Sequence, residues 1–275
     1  MAFCTPSNQT EDSKKKRRDN MLGAIIGDIV GSRFEFNNTD NYDFELFTSE
    51  STYTDDTICT IAIADAINTG SDYKDKLVEW CNKYPNPKGS YGGSFARWIA
   101  SKDHKPYNSF GNGSAMRVSP VAWSFDTLDK VLQEAEKTAI PTHNHPDGIK
   151  GAVAVAHAIF YLRNTHNQSA FENIMQSYYP MFMTKQYYSG VFDETCSGTV
   201  PLCLKILRVS TSFEDAIRRA VSFGGDSDTI AAIVGSMAEA LFDIPDYFIE
   251  NTMKLLPDDM RNVIGNFYNA KIEVI

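Results

Sequence analysis

Two stretches of the chain set a hydroxyl beside paired carboxylates immediately ahead of an apolar run. They are Thr54-Asp55-Asp56-Thr57 and Asp226-Ser227-Asp228-Thr229, the second preceded by Gly224-Gly225. Behind the first come Cys59, Ala62, Ile63, Ala66 and Ile67, with Ile58 and Ile61 widening the face. Behind the second come Ile230, Ile233, Val234, Met237 and Leu241. Spacings of three and four are helical. Each polar cluster therefore stands on the first turn of a buried helix, where backbone N–H groups lack partners and the dipole is positive. Two chemistries fit such a turn. In one, Asp226 or Ser227 caps its helix and Asp228 complements the dipole, as the Thr54 cluster does for its own. In the other, the surplus acids repel each other and lose hydration, and a hard divalent cation with oxygen ligands compensates them. Two converging clusters of this kind would make a two-metal centre. An EF-hand loop is excluded, because glycine is missing at its sixth position and glutamate at its twelfth.

The elements that must position these residues are helices. Apolar periodicity predicts helices near 21–31, 55–68, 72–83, 93–101, 115–123, 128–138, 147–164, 169–177, 195–209, 212–221, 228–241, 246–256 and 258–268. Strand alternation and a fixed internal repeat are both missing, so the class is all-α, a single-domain multi-helix bundle rather than a repeat array. In the first helix Gly23, Gly27 and Gly31 stand four apart, giving a smooth face for close backbone approach. Asp28 lies on that helix. Arg33-Phe34-Glu35-Phe36 follows it, and residues 37–53 are polar and irregular, a length of loop that is often functional.

Composition narrows the function classes. The 275 residues are enough for a sizeable core, and 43% hydrophobic with 22% charged residues is ordinary for a soluble globular protein. A net charge of −9 argues against nucleic-acid binding through a general basic surface. Residues 1–20 are polar, carry the basic run Lys14-Lys15-Lys16-Arg17-Arg18 and read as a disordered basic tail; the domain is expected over 21–275. The run also fits a nuclear localisation signal, set against a cytoplasmic default. No signal peptide or membrane span is visible, and the longest early apolar run, Leu22 to Val30, contains Asp28. Five cysteines without a C-x-x-C pair fit reduced thiols.

Three loops fit ligand binding. Phe110-Gly111-Asn112-Gly113-Ser114-Ala115-Met116-Arg117 places glycine, asparagine and serine before a helix, an arrangement of N–H groups suited to a diphosphate or, equally, a tight turn with an N-cap. It is neither a Walker loop nor a dinucleotide fingerprint. Lys88-Gly89-Ser90-Tyr91-Gly92-Gly93-Ser94 is a second glycine-rich loop, with Tyr91 free to stack. Thr142-His143-Asn144-His145 holds two histidines without the cysteines or third histidine that a zinc site needs.

Together these motifs resemble the ADP-ribosylglycohydrolase family of all-α hydrolases. The match starts at Gly27-Asp28 with Phe34-Glu35, and continues through Thr54-Asp55-Asp56-Thr57, Tyr91-Gly92, the Phe110–Arg117 stretch and Thr142-His143. It closes with Gly224-Gly225-Asp226-Ser227-Asp228-Thr229. The resemblance runs from Met21 onward and leaves the tail outside. It implies two divalent cations, magnesium or manganese, held by Thr54, Asp55, Asp56, Asp226, Asp228 and Thr229. It implies Glu35, Asp55 and Asp56 as the residues that move protons. Tyr91, Gly92, Phe110, Asn112, Gly113, Ser114, Met116 and His143 would bind the ADP-ribosyl group. The implied activity is hydrolysis of the N- or O-glycosidic bond between ADP-ribose and an acceptor, on an ADP-ribosylated protein or a small-molecule conjugate, by a monomer. A catalytically silent ADP-ribose-binding or structural relative, and a metal-dependent phosphoesterase of a nucleotide diphosphate, use the same residues.

Overall fold

The computed structural model describes residues 21–269; the tail with its Lys14–Arg18 run, Cys4 and residues 270–275 lie outside the described residues. The helices are α1 (Leu22–Gly31), α2 (Asp55–Thr69), α3 (Tyr73–Lys83), α4 (Gly93–Ile99), α5 (Gly113–Met116), α6 (Ser119–Ser124) and α7 (Leu128–Ala139). They continue with α8 (Pro146–Thr165), α9 (Gln168–Tyr178), α10 (Cys196–Val209), α11 (Phe213–Phe223), α12 (Ser227–Ala238), α13 (Asp246–Leu255) and α14 (Asp258–Asn269). Among the described residues, β-pairing is confined to isolated bridges, Thr54 with Lys88 and Gly111 with Thr195. The fold is all-α and forms one domain, as the periodicity predicts.

Helices α1 and α12 form the centre, and every residue of both is buried. They lie close enough for glycine alone to fit between them. A Cβ on Gly23 would stand 2.2 Å from the Gly235 carbonyl oxygen, one on Gly27 2.1 Å from that of Ala231, and one on Gly31 2.5 Å from the Asp228 Cα. Close backbone approach leaves no room for side chains, so the spacing of four seen in the sequence is the contact itself. The N-terminus of α1 is capped from α12's far end, where Glu239 accepts from the backbone N–H groups of Leu22 (3.2 Å) and Gly23 (2.6 Å). Helix α2 packs on α1, α10 and α11 pack on α12, and α8 backs onto α5, α6, α7 and α10.

Two predicted boundaries move. The helix expected over 115–123 is split into α5 and α6, with Pro120 near the start of the second. Helix α12 ends at Ala238, so Leu241 lies beyond it. The long loop 36–53 is irregular but held: Arg218 donates to the carbonyls of Tyr42 (3.1 Å) and Phe44 (2.8 Å), and the Tyr42 hydroxyl donates to Asp215 (2.6 Å). Phe44 and Leu46 anchor it in the core.

Candidate functional site

The α1–α12 packing delivers one carboxylate from the middle of α1 to the start of α12, and α2 brings its own first turn alongside. Oxygens of Asp28, Asp56 and Asp228 lie within 4.8 Å of one another, all three side chains buried. Capping accounts for little of this. Thr54, not an acid, caps α2, accepting from the Asp56 N–H (3.2 Å). At α12 the N-cap residue is Asp226, and its side chain makes no cap hydrogen bond. The expectation that Asp226 or Ser227 caps α12 therefore fails. The Asp226 carboxylate is drawn away by the Asn112 side-chain amide, which donates at 2.6 Å, and the Ser227 hydroxyl donates to the Phe34 carbonyl (2.9 Å).

The three clustered acids differ in what satisfies them. Asp28 accepts from the Thr54 backbone (2.9 Å) and hydroxyl (2.8 Å), and from the Thr57 backbone (3.1 Å) and hydroxyl. Three of these donors converge on Oδ2 and one reaches Oδ1, which keeps a lone pair. Asp56 receives only the Thr229 hydroxyl on Oδ2 (2.8 Å). Asp56 Oδ1 and Asp228 Oδ1 are buried with no hydrogen-bond partner among the described residues. A buried acceptor without a donor costs about 1–3 kcal/mol, more if charged, so the pair marks a place built for something the protein does not itself supply.

The electrostatics agree. Burial first, then mutual repulsion, raises Asp55, Asp56 and Asp228 well above the usual carboxylate range. Burial raises Asp28 too, against the pull of its threonine donors. Asp226 is pushed up to about 6 by burial, opposed by its Asn112 hydrogen bond, with Glu194 adding to the rise. Glu35 is half-buried and pushed up to about 7, by burial and then by Asp226 and Asp28, with Lys88 pulling it down. A cluster this acidic with a single nearby lysine fits a divalent cation: it supplies hard oxygen ligands, unsatisfied acceptors and excess negative charge.

Around this cluster the predicted residues fall as follows. Glu35 reaches over the second glycine loop, where a Cβ on Gly89 would meet its carboxylate at 2.3 Å. Asn38 ties that flap to the Gly224-Gly225 turn, donating to the Phe34 (2.7 Å) and Gly225 (2.9 Å) carbonyls and accepting from the Gly225 N–H (2.7 Å). Gly225 has φ 81°, the left-handed conformation that glycine adopts without strain. Asn112 joins the first glycine loop to the acids through Asp226 and also donates to the Thr199 hydroxyl (3.1 Å). His143 lies under Gly113, a Cβ on which would be 3.2 Å from Nε2 and 3.9 Å from the Met116 sulfur. Ser114 spends its hydroxyl on the Gly148 carbonyl (2.7 Å). The Tyr91 hydroxyl donates to the Tyr84 carbonyl (2.7 Å), leaving its ring, and Gly92 stands beside open space. Phe110 is half-exposed and meets His145 edge-on at 5.4 Å. His145 caps α8, its Nδ1 accepting from the Asp147 N–H (3.1 Å).

Sequence reasoning gave no site role to Asp28, Asn38 or Glu194. Asp28 carried a signal: it is the one polar side chain in the ten-residue run of α1, and a lone acid in such a helix needs buried donors or a cation. Asn38 and Glu194 sit in irregular segments and carried none.

Comparison with known proteins places this geometry. The ADP-ribosylglycohydrolase family matches residues 9–273. Protein L543 of Acanthamoeba polyphaga mimivirus is 24% identical over 86% of this chain and 91% of its own length. The ADP-ribosylarginine hydrolase Tri1 of Serratia proteamaculans is 23% identical over 84% of this chain and 72% of that protein. A solved structure described as an ADP-ribosylglycohydrolase-related protein complex shares the fold, with a TM-score of 0.71 and 19% identity over 93% of this chain and 99% of that one. With the family match running almost from end to end, the resemblance becomes membership: the chain belongs to the ADP-ribosylglycohydrolase family.

Proposed function

We propose that the protein hydrolyses the glycosidic bond joining ADP-ribose to an acceptor on a protein or a small molecule. The observation that carries this reading is the pair of orphaned buried oxygens, Asp56 Oδ1 and Asp228 Oδ1, beside a half-buried Glu35 poised at about 7. Thr54, Asp55, Asp56, Asp226, Asp228 and Thr229 would hold two divalent cations, magnesium or manganese. Bound there, such cations supply Lewis acidity toward ribose hydroxyls and neutralise the crowded carboxylates. Asp28 supports the set: it accepts the Thr54 hydroxyl's hydrogen bond, and with the Asp56 N–H on one lone pair this leaves that oxygen one lone pair for a cation.

The protein's own groups divide the remaining work. Glu35, raised above the usual carboxylate range by burial, is suited to take the proton of the attacking water and return it to the leaving acceptor. Water then adds its hydroxyl to the anomeric carbon, the bond to the acceptor breaks, and the acceptor departs with the proton. Asp55 and Asp56 are the other acids in reach for that transfer. Asn112, Gly113, Met116 and His143 would take the diphosphate and ribose, with Ser114 shaping the loop from behind. Phe110 and the rings and backbone of Tyr91-Gly92 would flank the ligand. An ADP-ribosylated protein is the substrate class we favour; the names of two relatives give ADP-ribosylarginine and ADP-ribosyl-[dinitrogen reductase] as theirs.

The test is turnover of ADP-ribosylated arginine and serine substrates by purified protein, with magnesium and with EDTA, the product read by mass. Magnesium-dependent release of free ADP-ribose is the expected result. AMP as product would move the chemistry to the phosphates. Binding of ADP-ribose without release from either substrate would leave a silent binding protein.

A further inference from the structure

Behind the glycine loop Arg117 is wholly enclosed, and among the described residues it has no carboxylate partner. One of its terminal nitrogens donates to the Thr138 carbonyl (2.9 Å) and to the Thr142 hydroxyl oxygen (2.8 Å). That same hydroxyl lies 2.7 Å from His143 Nδ1. Thr142 is fully buried and His143 is 5% exposed, with Tyr107 packed obliquely against the imidazole at 6.3 Å. On the far side of the ring, Nε2 has no hydrogen-bond partner among the described residues and lies beside Gly111 and Gly113, 3.6 and 3.2 Å from where their Cβ atoms would be.

The donors and acceptors allow one consistent assignment. Arg117 only donates, so it occupies a lone pair on Thr142 and leaves the hydroxyl proton to find an acceptor elsewhere. If that proton goes to Nδ1, the Thr142 hydroxyl and Nδ1 satisfy each other and the imidazole proton sits on Nε2; Arg117 Nε is without a partner in either case. If Nδ1 carried the proton instead, the Thr142 hydroxyl would be a buried donor with no acceptor. A doubly protonated ring fails in the same way and adds a second cation beside Arg117. Burial, and after it the Arg117 charge, holds His143 well below its ordinary value, so the ring is neutral.

We infer that Arg117 and Thr142 are positioning residues that fix His143 as its neutral Nε2–H tautomer, presenting one N–H donor to a ligand oxygen at the Gly111–Gly113 loop. The ligand chemistry is a diphosphate or ribose oxygen, and in this respect the inference rests on the function proposed above. The loop's helix α5 is a single turn and brings too few aligned peptides to attract an anion, so a directed side-chain donor matters more here than a dipole.

The experiment uses full-length protein carrying 15N-histidine, read by long-range proton–nitrogen correlation at neutral pH, with the His143 signals identified by their loss in His143→Gln. The wild type should show an unprotonated Nδ1 and a protonated Nε2. Thr142→Val should shift the tautomer, and Thr142→Ser, which keeps the hydroxyl, should restore it. Calorimetric titration of ADP-ribose should show a Kd about tenfold higher in Thr142→Val, the loss of one well-placed donor, and within about twofold of wild type in Thr142→Ser. A protonated Nδ1 in the wild type overturns the inference. So does a Thr142→Val spectrum identical to wild type, or a shifted tautomer with unchanged affinity. Should the wild type bind no ADP-ribose, the proposed function falls, while the tautomer spectrum still decides the relay, with inorganic pyrophosphate titrated as the probe of the loop. Matching melting curves for wild type, Thr142→Val and Thr142→Ser separate this from a general loss of structure.

Discussion

Asp28, Asp56 and Asp228 share one cluster, yet single amides at these positions should behave in opposite ways. Asp228→Asn and Asp56→Asn each remove a buried charge that has one unsatisfied oxygen. Relief of repulsion and desolvation should leave the metal-free protein as stable as wild type or more so. Turnover should fall by about a thousandfold or more, about 4 kcal/mol of barrier, because cation binding and substrate positioning go together. Asp28→Asn keeps one acceptor oxygen for the three donors on Oδ2 and sets its NH2 against the Thr54 hydroxyl that Oδ1 now accepts from. That should destabilise the fold by about 1–3 kcal/mol in urea unfolding, whether or not metal is present. Thermal unfolding in EDTA compared with steady-state rates checks both. Equal destabilisation by all three amides would mean that the acids do only structural work.

At the scale of the elements, the α1–α12 contact sets where Asp28 and Asp228 meet, and it depends on glycine. Gly27→Ala forces a methyl to 2.1 Å from the Ala231 carbonyl oxygen, and backbone on both sides cannot yield. The expected cost is about 3 kcal/mol or more, at or above the top of the usual overpacking range. Gly92→Ala is the control: its Cβ meets nothing within 4 Å and φ is −51°, so stability should change by less than about 0.5 kcal/mol. Denaturant midpoints of the two variants decide the matter. A mild Gly27→Ala would show that the two helices can part without loss.

For the whole molecule the clustered acids couple stability to pH and to cations. A carboxyl raised in the fold contributes stability that is complete below its unfolded value near 4, and that is lost as pH rises through its folded value. Asp226 at about 6 and Glu35 at about 7 place that loss between pH 4 and about 7. His143 and His157, both lowered by burial, act the other way, since stability is lost as pH falls through their ordinary value near 6.5. The histidines cancel when melting temperatures with and without magnesium are compared at one pH. That difference should be near zero at pH 5, where protons hold the oxygens, and reach several degrees at pH 8, in line with about 2.7 kcal/mol at a hundredfold excess over Kd. A magnesium shift equal at pH 5 and pH 8 would separate the cation from these carboxylates. No helix of the described residues is long and apolar enough to cross a membrane.

Both acid-bearing helix starts, the all-α class and the close glycine face of α1 were legible in the sequence, because each rests on a local rule. Periodicity fixes helices, hydroxyl–acid clusters mark their first turns, and small residues four apart mark close contact. The family motifs lay in contiguous runs and could be read the same way. Tertiary structure alone decided which acids meet. Asp28, from a helix separated from α12 by nearly two hundred residues, enters the cluster; Asp226 turns toward Asn112; and Glu239 caps the helix that carries Asp28. It also decided that Thr142 links Arg117 to His143. A carboxylate's role depends on the donors around it, and in a bundle those come from helices that sequence order does not make neighbours.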